Sequence, residues 1–162
     1  MTTVTYKDGV MACDSCWTCD DVIDTLMTKI TRLSSGALLG QAGDNDARAI
    51  EKMLDKVKTP AGLPARDDLL RIRLDYMGLL VLPRGRVFKV SLTHNSEANW
   101  GEGFDEDVGI WEISGAFTAV GSGKAFAIGA MAAGKSAVEA VRIACRYDIN
   151  SRAPVHQVTL KR

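Results

Sequence analysis

The sequence predicts a single α+β domain, residues 1–162, in which two antiparallel sheets are flanked by helices. Three turns that contain glycine each separate two short runs rich in Val, Ile, Leu, Tyr or Thr, which is typical of β-hairpins. The helical patterns are grouped in their own stretches of the chain, whereas a parallel sheet requires strands and helices to alternate. With 162 residues, of which 46% are hydrophobic, the chain is long enough to bury one substantial core.

The predicted strands begin with three hairpins, in which glycine supplies the positive φ of a tight turn. The turns and their flanking strands are Asp8-Gly9 between Thr3–Lys7 and Val10–Asp14, Ser35-Gly36 between Lys29–Leu33 and Ala37–Gln41, and Pro83-Arg84-Gly85 between Tyr76–Leu82 and Arg86–Leu92. A last strand is predicted near the C-terminus, at Val155–Leu160. These segments supply the strands of the two sheets.

The first predicted helices lie between the second and third hairpins. Asp44 or Asn45 caps a helix in which four apolar residues follow the i, i+3, i+4, i+7 spacing of one buried face. These residues are Ile50, Met53, Leu54 and Val57. A shorter helix is predicted from Arg66 to Arg73, after two prolines that separate it from the first.

Two Ala-rich helices are predicted near the C-terminus, at Lys124–Ala133 and Ala137–Tyr147. Ser136 and Glu139 have the spacing of a capping box, so the second of these helices begins at Ser136. The segment Gly129–Ser136 also fits the phosphate-binding pattern G-x-x-x-x-G-K-[ST]. That loop requires a preceding strand and several later strands, one of which ends in a metal-binding aspartate. Only 26 residues follow Ser136, and the one strand predicted among them lacks such an aspartate. We therefore interpret the match as accidental.

The composition argues against several classes of partner. The 20 Lys and Arg residues balance 20 Asp and Glu residues, which predicts no nucleic-acid partner and no membrane partner. The longest apolar stretches are too short to span a bilayer, and the N-terminus lacks the basic and apolar segments of a signal peptide. The 4 cysteines do not form the disulfide framework of a small secreted protein. The expected location is the cytoplasm.

Two stretches of the sequence contain several potential metal ligands. Cys13-x-x-Cys16-x-x-Cys19 could hold zinc or an iron–sulfur cluster, but strand alternation directs Cys13 and Cys16 to opposite faces and no fourth ligand is near. The stretch Thr93–Ile110 is rich in acidic residues and has no Lys or Arg, but it lacks the ligand spacing of a calcium loop. We therefore predict an acidic surface loop there, no bound metal and no cofactor.

Thr2 is a candidate nucleophile because it directly follows the initiator Met1. A small second residue permits removal of the methionine, which leaves a free α-amine on the threonine. An α-amine has a reference pKa of about 7.7–8.0, so it can act as the base for the hydroxyl of the same residue. We expect Met1 to be removed from the active protein.

Five motifs occur in an order that resembles one family of hydrolases. They are the opening strands from Thr2 through Lys7–Ala12 to Asp14-Ser15, the lysine-bearing strand Lys29–Leu33, the Gly-x-x-Gly-Asp of Gly40–Asp44, the Gly-Ser-Gly of Gly121–Gly123, and the Asp-x-x-Ser of Asp148–Ser151. In this order and spacing they resemble the N-terminal-nucleophile hydrolases of the proteasome β-subunit and HslV type. The similar parts are Thr2–Val57 and Gly115–Leu160.

The resemblance implies a four-layer αββα sandwich and a threonine peptidase that cleaves peptide bonds through an acyl-enzyme ester. It implies assembly into a homo-oligomeric ring, a peptide or unfolded-protein substrate, and an AAA+ unfoldase ring as a further partner. Two alternatives remain open: a catalytically silent structural ring of the same fold that retains Met1, and an amidase that acts on a small acyl amide.

The resemblance also assigns a role to each candidate catalytic residue. Thr2 is the nucleophile, Lys29 lowers the pKa of its amine, Asp14 pairs with Lys29, the Gly40 N–H stabilises the oxyanion, and Ser122, Asp148 and Ser151 hold the amine and its water. The pocket for the residue before the scissile bond is expected to be apolar and uncharged, which favours Leu, Phe or Tyr. The expected substrate-binding residues are Trp17, Thr18, Met27, Thr31, Leu38 and Ala42.

Overall fold

The structure, a computed structural model, describes residues 2–19, 22–24, 28–43, 48–72, 74–93 and 107–161, with the backbone alone for 17–19 and 22–24. The strands in these residues are β1 (Thr3–Lys7), β2 (Val10–Cys13), β3 (Trp17–Cys19), β4 (Val22–Asp24), β5 (Ile30–Arg32), β6 (Leu38–Gly43), β7 (Tyr76–Val81), β8 (Val87–Thr93), β9 (Asp107–Glu112), β10 (Phe117–Gly121) and β11 (His156–Thr159). The helices are α1 (Arg48–Leu54), a 3₁₀ turn (Pro60–Gly62), α2 (Arg66–Leu70), α3 (Lys124–Ala132) and α4 (Ala137–Tyr147).

The strands form two antiparallel sheets and one separate short hairpin. The first sheet has 4 strands in the order β10-β1-β2-β11, and the second has 5 strands in the order β5-β6-β7-β8-β9. Neighbours within each sheet run antiparallel. The hairpin pairs β3 with β4, which the sequence did not predict. The predicted α+β class with two antiparallel sheets is confirmed.

The three predicted hairpin turns are present where glycine permits them. Gly9, Gly36 and Gly85 have φ values of 80°, 87° and 85°, which residues with a side chain rarely adopt. They join β1 to β2, β5 to β6 and β7 to β8. Local turn chemistry therefore sets the register of both sheets.

The two sheets pack face to face across a buried apolar layer. Val4 and Met11 of the first sheet lie against Leu38 and Leu79 of the second, and all four are fully buried. Gly40 lies at the closest approach, where an added Cβ would be 2.5 Å from Cγ1 of Val4. Each large apolar side chain buried in such a core stabilises the fold by about 1.5–3 kcal/mol.

Helices cover the outer face of each sheet, which gives four layers. Residues of α3 and α4 pack on the first sheet through small side chains, with Ala127 and Ala140 beside Ala119, and Val141 beside Ala12. On the second sheet, Ile50 and Leu54 of α1 and Leu69 of α2 bury their side chains against the strands, including Leu39, Leu80 and Val90. The order α-β-β-α is the predicted sandwich.

The predicted acidic loop is partly wrong. Thr93 ends β8, and Asp107–Ile110 belong to β9, which pairs with β8 so that Val108 lies opposite Leu92. Asp107 interacts with Lys89 of the neighbouring strand at 3.1 Å, and cross-strand pairing of this kind explains an acidic residue at a strand start. Residues 94–106 lie outside the described residues.

The first two helices are shorter than the sequence pattern predicted, whereas α4 has the predicted bounds. α1 ends at Leu54, whereas the apolar spacing extended to Val57, and α2 ends at Leu70, before the predicted end at Arg73, which lies outside the described residues. Val57 is buried even so, because its N–H donates to the Leu54 carbonyl and folds it back onto the core. The predicted caps Asp44 and Asn45 lie outside the described residues. None of the helices in the described part of the chain is long and apolar enough to cross a lipid bilayer.

The capping box at the start of α4 is present, and it generates a test of the fold. The Ser136 hydroxyl accepts a hydrogen bond from the Glu139 N–H at 3.3 Å, and Glu139 accepts from the Ser136 N–H at 3.0 Å. Ser136→Ala should lower the free energy of unfolding by about 1 kcal/mol, because the first turn loses its acceptor. Urea unfolding would measure the loss. Ser114→Ala, at an exposed position outside the helices, is the control, and equal midpoints for the two variants would contradict the prediction.

Candidate active site

Thr2 is held at the end of β1 by its own backbone. Its carbonyl accepts a hydrogen bond of 2.9 Å from the Ser122 N–H, and only 4% of the residue is exposed. Gly121 makes this approach possible, since it has a φ of 97° and an added Cβ would lie 1.7 Å from the Thr2 oxygen. A side chain at position 121 would therefore displace Thr2.

Asp14 is a fully buried carboxylate with hydrogen-bond donors to both oxygens. Oδ1 accepts from the Thr3 N–H at 2.8 Å and from Lys29 Nζ at 3.2 Å. Oδ2 accepts from the Cys16 N–H at 2.8 Å and the Arg152 N–H at 3.2 Å. A buried charge is stable only when it is paired and hydrogen-bonded, and Asp14 meets both conditions.

Lys29 connects Asp14 to Thr2. Its ammonium donates hydrogen bonds to Thr2 Oγ1, to Asp14 Oδ1 and to the carbonyl of Cys16. An ammonium group has three donors, so these three acceptors fix its position. The side chain is only 11% exposed. The ammonium group is therefore in direct contact with the threonine hydroxyl.

A second polar cluster lies on the other side of the N-terminal strand. Asp148 Oδ2 accepts from the Ser122 hydroxyl at 2.7 Å and from the Ser151 hydroxyl at 2.6 Å. The Ser151 hydroxyl also lies 2.7 Å from Thr3 Oγ1. Burial alone would raise the pKa of Asp148, but the hydrogen bonds from Ser151, Ser122 and the Asn150 N–H outweigh it and hold the pKa below its ordinary value. Asp148 is therefore ionised at neutral pH.

Gly40 is not part of this cluster. It lies in the middle of β6, opposite Leu79 of β7, and is packed against Val4 and Met11 of the other sheet. The Gln41 N–H donates to the Lys29 carbonyl on the β5 side, so strand geometry directs the Gly40 N–H to the opposite side, into the ladder with β7. The expectation that Gly40 donates to an oxyanion is therefore corrected.

Gly43, the second glycine of the Gly-x-x-Gly-Asp motif, is the one that lies beside Thr2. It is exposed at the end of β6 and has a φ of 141°, and an added Cβ would lie 2.8 Å from the Asp75 carbonyl. With Thr2, Ala42, Met77 and Ser122, it lines an open cleft of about 500 Å³. The motif predicted a glycine at the site, but it contains two glycines. Only the register of β6 shows which of them lies at the cleft.

The predicted pocket residues are only partly brought together. Ala42 lines the cleft beside Thr2. Leu38 does not, because its side chain is fully buried between the two sheets, on the face opposite to its neighbour Leu39. Thr31 binds a carboxylate, since its hydroxyl donates to Glu51 at 2.9 Å. For Trp17 and Thr18 only the backbone is described, and Met27 lies outside the described residues.

Cys13 and Cys145 are both protonated thiols. Burial raises the pKa of Cys13 to about 11, and burial likewise raises the pKa of Cys145 to about 11, so both are neutral thiols at physiological pH. Among the residues whose side chains are described, no group of three His, Cys, Asp or Glu could hold a metal ion.

The segment Gly129–Ser136 lies across the end of α3 and the start of α4, with no strand directly before it, so it lacks the context of a phosphate-binding loop.

Comparison with solved structures identifies the fold, whereas comparison with sequences finds no relative. The sequence matches no protein-family model, and no curated protein is significantly similar to it. Among solved structures, the chain is similar to HslV from Trypanosoma brucei, with a TM-score of 0.72 and 16% identity over 99% of both chains. It is also similar to Thiobacillus denitrificans BPH, with a TM-score of 0.63 and 19% identity over 99% of this chain and 98% of that chain. A second structure, BPH in complex with epoxomicin, has a TM-score of 0.60 and 19% identity over 99% of both chains. The chain therefore has the proteasome-like, HslV-like fold.

The Asp148 cluster predicts a specific pH dependence of stability. The pKa of Asp148 in the folded protein lies below its ordinary value of 3.8, so its carboxylate stabilises the fold above that pH. This contribution is lost as the pH falls below about 4 and through the folded value. Asp148→Asn should therefore be less stable at pH 7 and should lose less stability than the unaltered protein between pH 5 and pH 3.

Urea unfolding at several pH values in this range would measure the difference. Asp67→Asn, at an exposed position in α2, is the matched control and should keep the original pH dependence. An Asp148→Asn curve parallel to that of the unaltered protein would contradict the assignment.

Proposed function

We propose that the chain is a threonine peptidase in which Thr2, freed of Met1, attacks the scissile carbonyl. The observation that carries the proposal is the contact of the Lys29 ammonium with Thr2 Oγ1, with the same lysine bound to Asp14. Lys29 contacts the hydroxyl of the second residue, and Asp14 holds the lysine in place. This arrangement is suited to catalysis by an N-terminal nucleophile.

In the proposed reaction, the α-amine of Thr2 takes the proton from Oγ1 while Oγ1 bonds to the carbonyl carbon. The protonated amine then gives its proton to the leaving amine, which produces an acyl-enzyme ester and the first product. In the second half, the amine takes a proton from water while the water oxygen bonds to the ester carbon, and it gives that proton to Oγ1 as the ester bond breaks, which releases the acid product and regenerates Thr2. No cofactor or metal takes part.

Lys29 supports this reaction by its charge. A cation close to the amine lowers the pKa of the amine, which favours the neutral form that can act as a base. Asp14 lies 3.2 Å from the lysine ammonium and fixes its direction. The polar cluster of Ser122, Asp148 and Ser151 lies beside the same backbone and is suited to hold the amine and the attacking water.

We assign the oxyanion donor to Gly43. In a strand, alternate N–H groups point to the same edge, so the Gly43 N–H points to the same side as the Gln41 N–H, which faces β5. Gly43 lines the cleft with Thr2, and β5 begins only at Ile30. A backbone donor of this kind typically contributes about 3 kcal/mol to transition-state stabilisation.

The proposal extends to assembly and partners. HslV and BPH share the fold, and one solved BPH structure contains epoxomicin. We propose that this chain also binds epoxomicin through Thr2, forms a homo-oligomeric ring, and acts on peptides or on unfolded proteins delivered by an AAA+ unfoldase ring. Apolar side chains exposed on α3, on α4 and in the turn after α4 suit contacts between copies, and they are Phe126, Ile128, Tyr147 and Ile149.

Intact-mass spectrometry tests the nucleophile directly. The purified protein should lack Met1 and should gain the mass of one epoxomicin molecule per chain, because the inhibitor requires both the free amine and the hydroxyl. Thr2→Ala is the matched control, since a small second residue still allows Met1 to be removed, and it should gain no adduct. A protein that keeps Met1 and forms no adduct would support the silent ring. Turnover of small acyl amides without peptide cleavage would support the amidase.

Replacement of Lys29 tests the proposed charge effect. Lys29→Ala should lower kcat/KM for a fluorogenic peptide by about 10⁴-fold, as expected when a member of a catalytic unit is lost. Circular dichroism should show a retained fold. Lys52→Ala, at an exposed position on α1, is the control and should retain full activity. Turnover by Lys29→Ala within about tenfold of the unaltered protein would reduce Asp14 and Lys29 to a structural ion pair.

A further inference from the structure

The side chains beside Lys29 form a row across the second sheet. The Gln41 N–H donates to the Lys29 carbonyl at 2.9 Å, so the two residues are directly opposite and their side chains share one face. Thr31 is two residues further along the chain and shares that face as well. Because Lys29 contacts the Thr2 hydroxyl, this face of the sheet is the surface next to the proposed nucleophile.

Glu51 of α1 places a carboxylate over this row. Its Oε1 accepts a hydrogen bond from the Thr31 hydroxyl at 2.9 Å and one from Gln41 Nε2 at 3.5 Å. The Glu51 side chain is partly buried. Helix α1 therefore brings a carboxylate onto the face of the sheet that carries Lys29, next to Thr31 and Gln41.

The same place contains polar atoms that lack a partner. The Tyr76 hydroxyl and Gln41 Oε1 are buried and have no hydrogen-bond partner among the described residues. Gly78, opposite Gln41 on β7, makes room for this hydroxyl, since an added Cβ would lie 2.6 Å from it. Burial, and then the charge of Glu51, raises the pKa of Tyr76. The row thus offers a carboxylate and an unused acceptor, which a donor-rich cation would satisfy.

We propose that Glu51 lies in the pocket for the residue before the scissile bond and selects Lys or Arg at that position. This inference rests on the proposed peptidase function. Thr31 lies about 7 Å along the strand from Lys29, from a rise of about 3.4 Å per residue. The long side chains of Lys and Arg can span that distance and carry several donors to Glu51 and Gln41.

The chemistry of the pocket disfavours the other substrate classes. An apolar side chain would cover Glu51 and remove water from its charge while adding no donor to those of Thr31 and Gln41, which is costly. An acidic side chain would be repelled. The sequence-based expectation of an apolar preference rested on uncharged pocket residues such as Thr31. In the structure, the Thr31 hydroxyl donates a hydrogen bond to the Glu51 carboxylate.

A panel of fluorogenic peptides that differ only in the residue before the cut tests the inference. We expect kcat/KM for Arg and Lys to exceed that for Leu by at least about tenfold, and Glu to be cleaved least. Glu51→Gln should lower kcat/KM for Arg and Lys by about 30-fold, the lower end for loss of one partner of a desolvated ion pair, and should raise it for Leu, because a bound apolar side chain then no longer covers a charge. Glu112→Gln is the matched control, because Glu112 is exposed on β9 at the opposite edge of the same sheet.

A second measurement needs no variant and so does not depend on how well Glu51→Gln folds. Peptide epoxyketones that end in Arg should inactivate the unaltered protein at least about tenfold faster than those that end in Leu. Equal rates, or cleavage preferentially after Leu that Glu51→Gln leaves unchanged, would overturn the pocket assignment and leave the peptidase intact. A protein that cleaves no peptide and forms no adduct would overturn the peptidase and the pocket together.

Discussion

The buried carboxylate of Asp14 is the interaction on which the rest of the site depends. Its two oxygens bind the backbone of the first strand at Thr3, the connection after β2 at Cys16, the segment before β11 at Arg152, and the ammonium of Lys29. A carboxylate with no exposure to water requires such partners, because an unpaired buried charge costs several kcal/mol. The same four bonds that make the charge tolerable bring three chain segments and one cation to the N-terminus.

Much of the fold could be predicted because its signals are local. Gly9, Gly36 and Gly85 mark turns that require positive φ, and Ser136 with Glu139 marks a helix start by its own hydrogen bonds. The contact of Lys29 with Asp14 and Thr2 was anticipated only through the resemblance of ordered motifs. The structure reproduces that contact at atomic distances.

The errors within strand β6 have one physical origin, the alternation of side chains and amides along a strand. Leu38 and Leu39 differ by one position and face different cores, so a pattern of apolar residues cannot tell which one reaches a cleft. Gly40 and Gly43 belong to one motif, but their amides point to opposite edges of β6. Glu51 was missed because it is brought to the strands by the packing of α1, which depends on the tertiary structure.

The contacts at Thr2 and Thr3 join the two ends of the chain. Thr3 and Ser151 are separated by 148 residues, and Asp14 and Arg152 by 138. Contacts of such separation form late in folding, because the entropy of closing a long loop must be overcome before they add stability. A ribosome-bound chain that has not yet released its last helix and strand therefore cannot assemble the serine cluster around its N-terminus or the hydrogen bond from the Arg152 N–H to Asp14. Any hydrolytic activity would thus be withheld from incomplete chains by the order in which the fold forms.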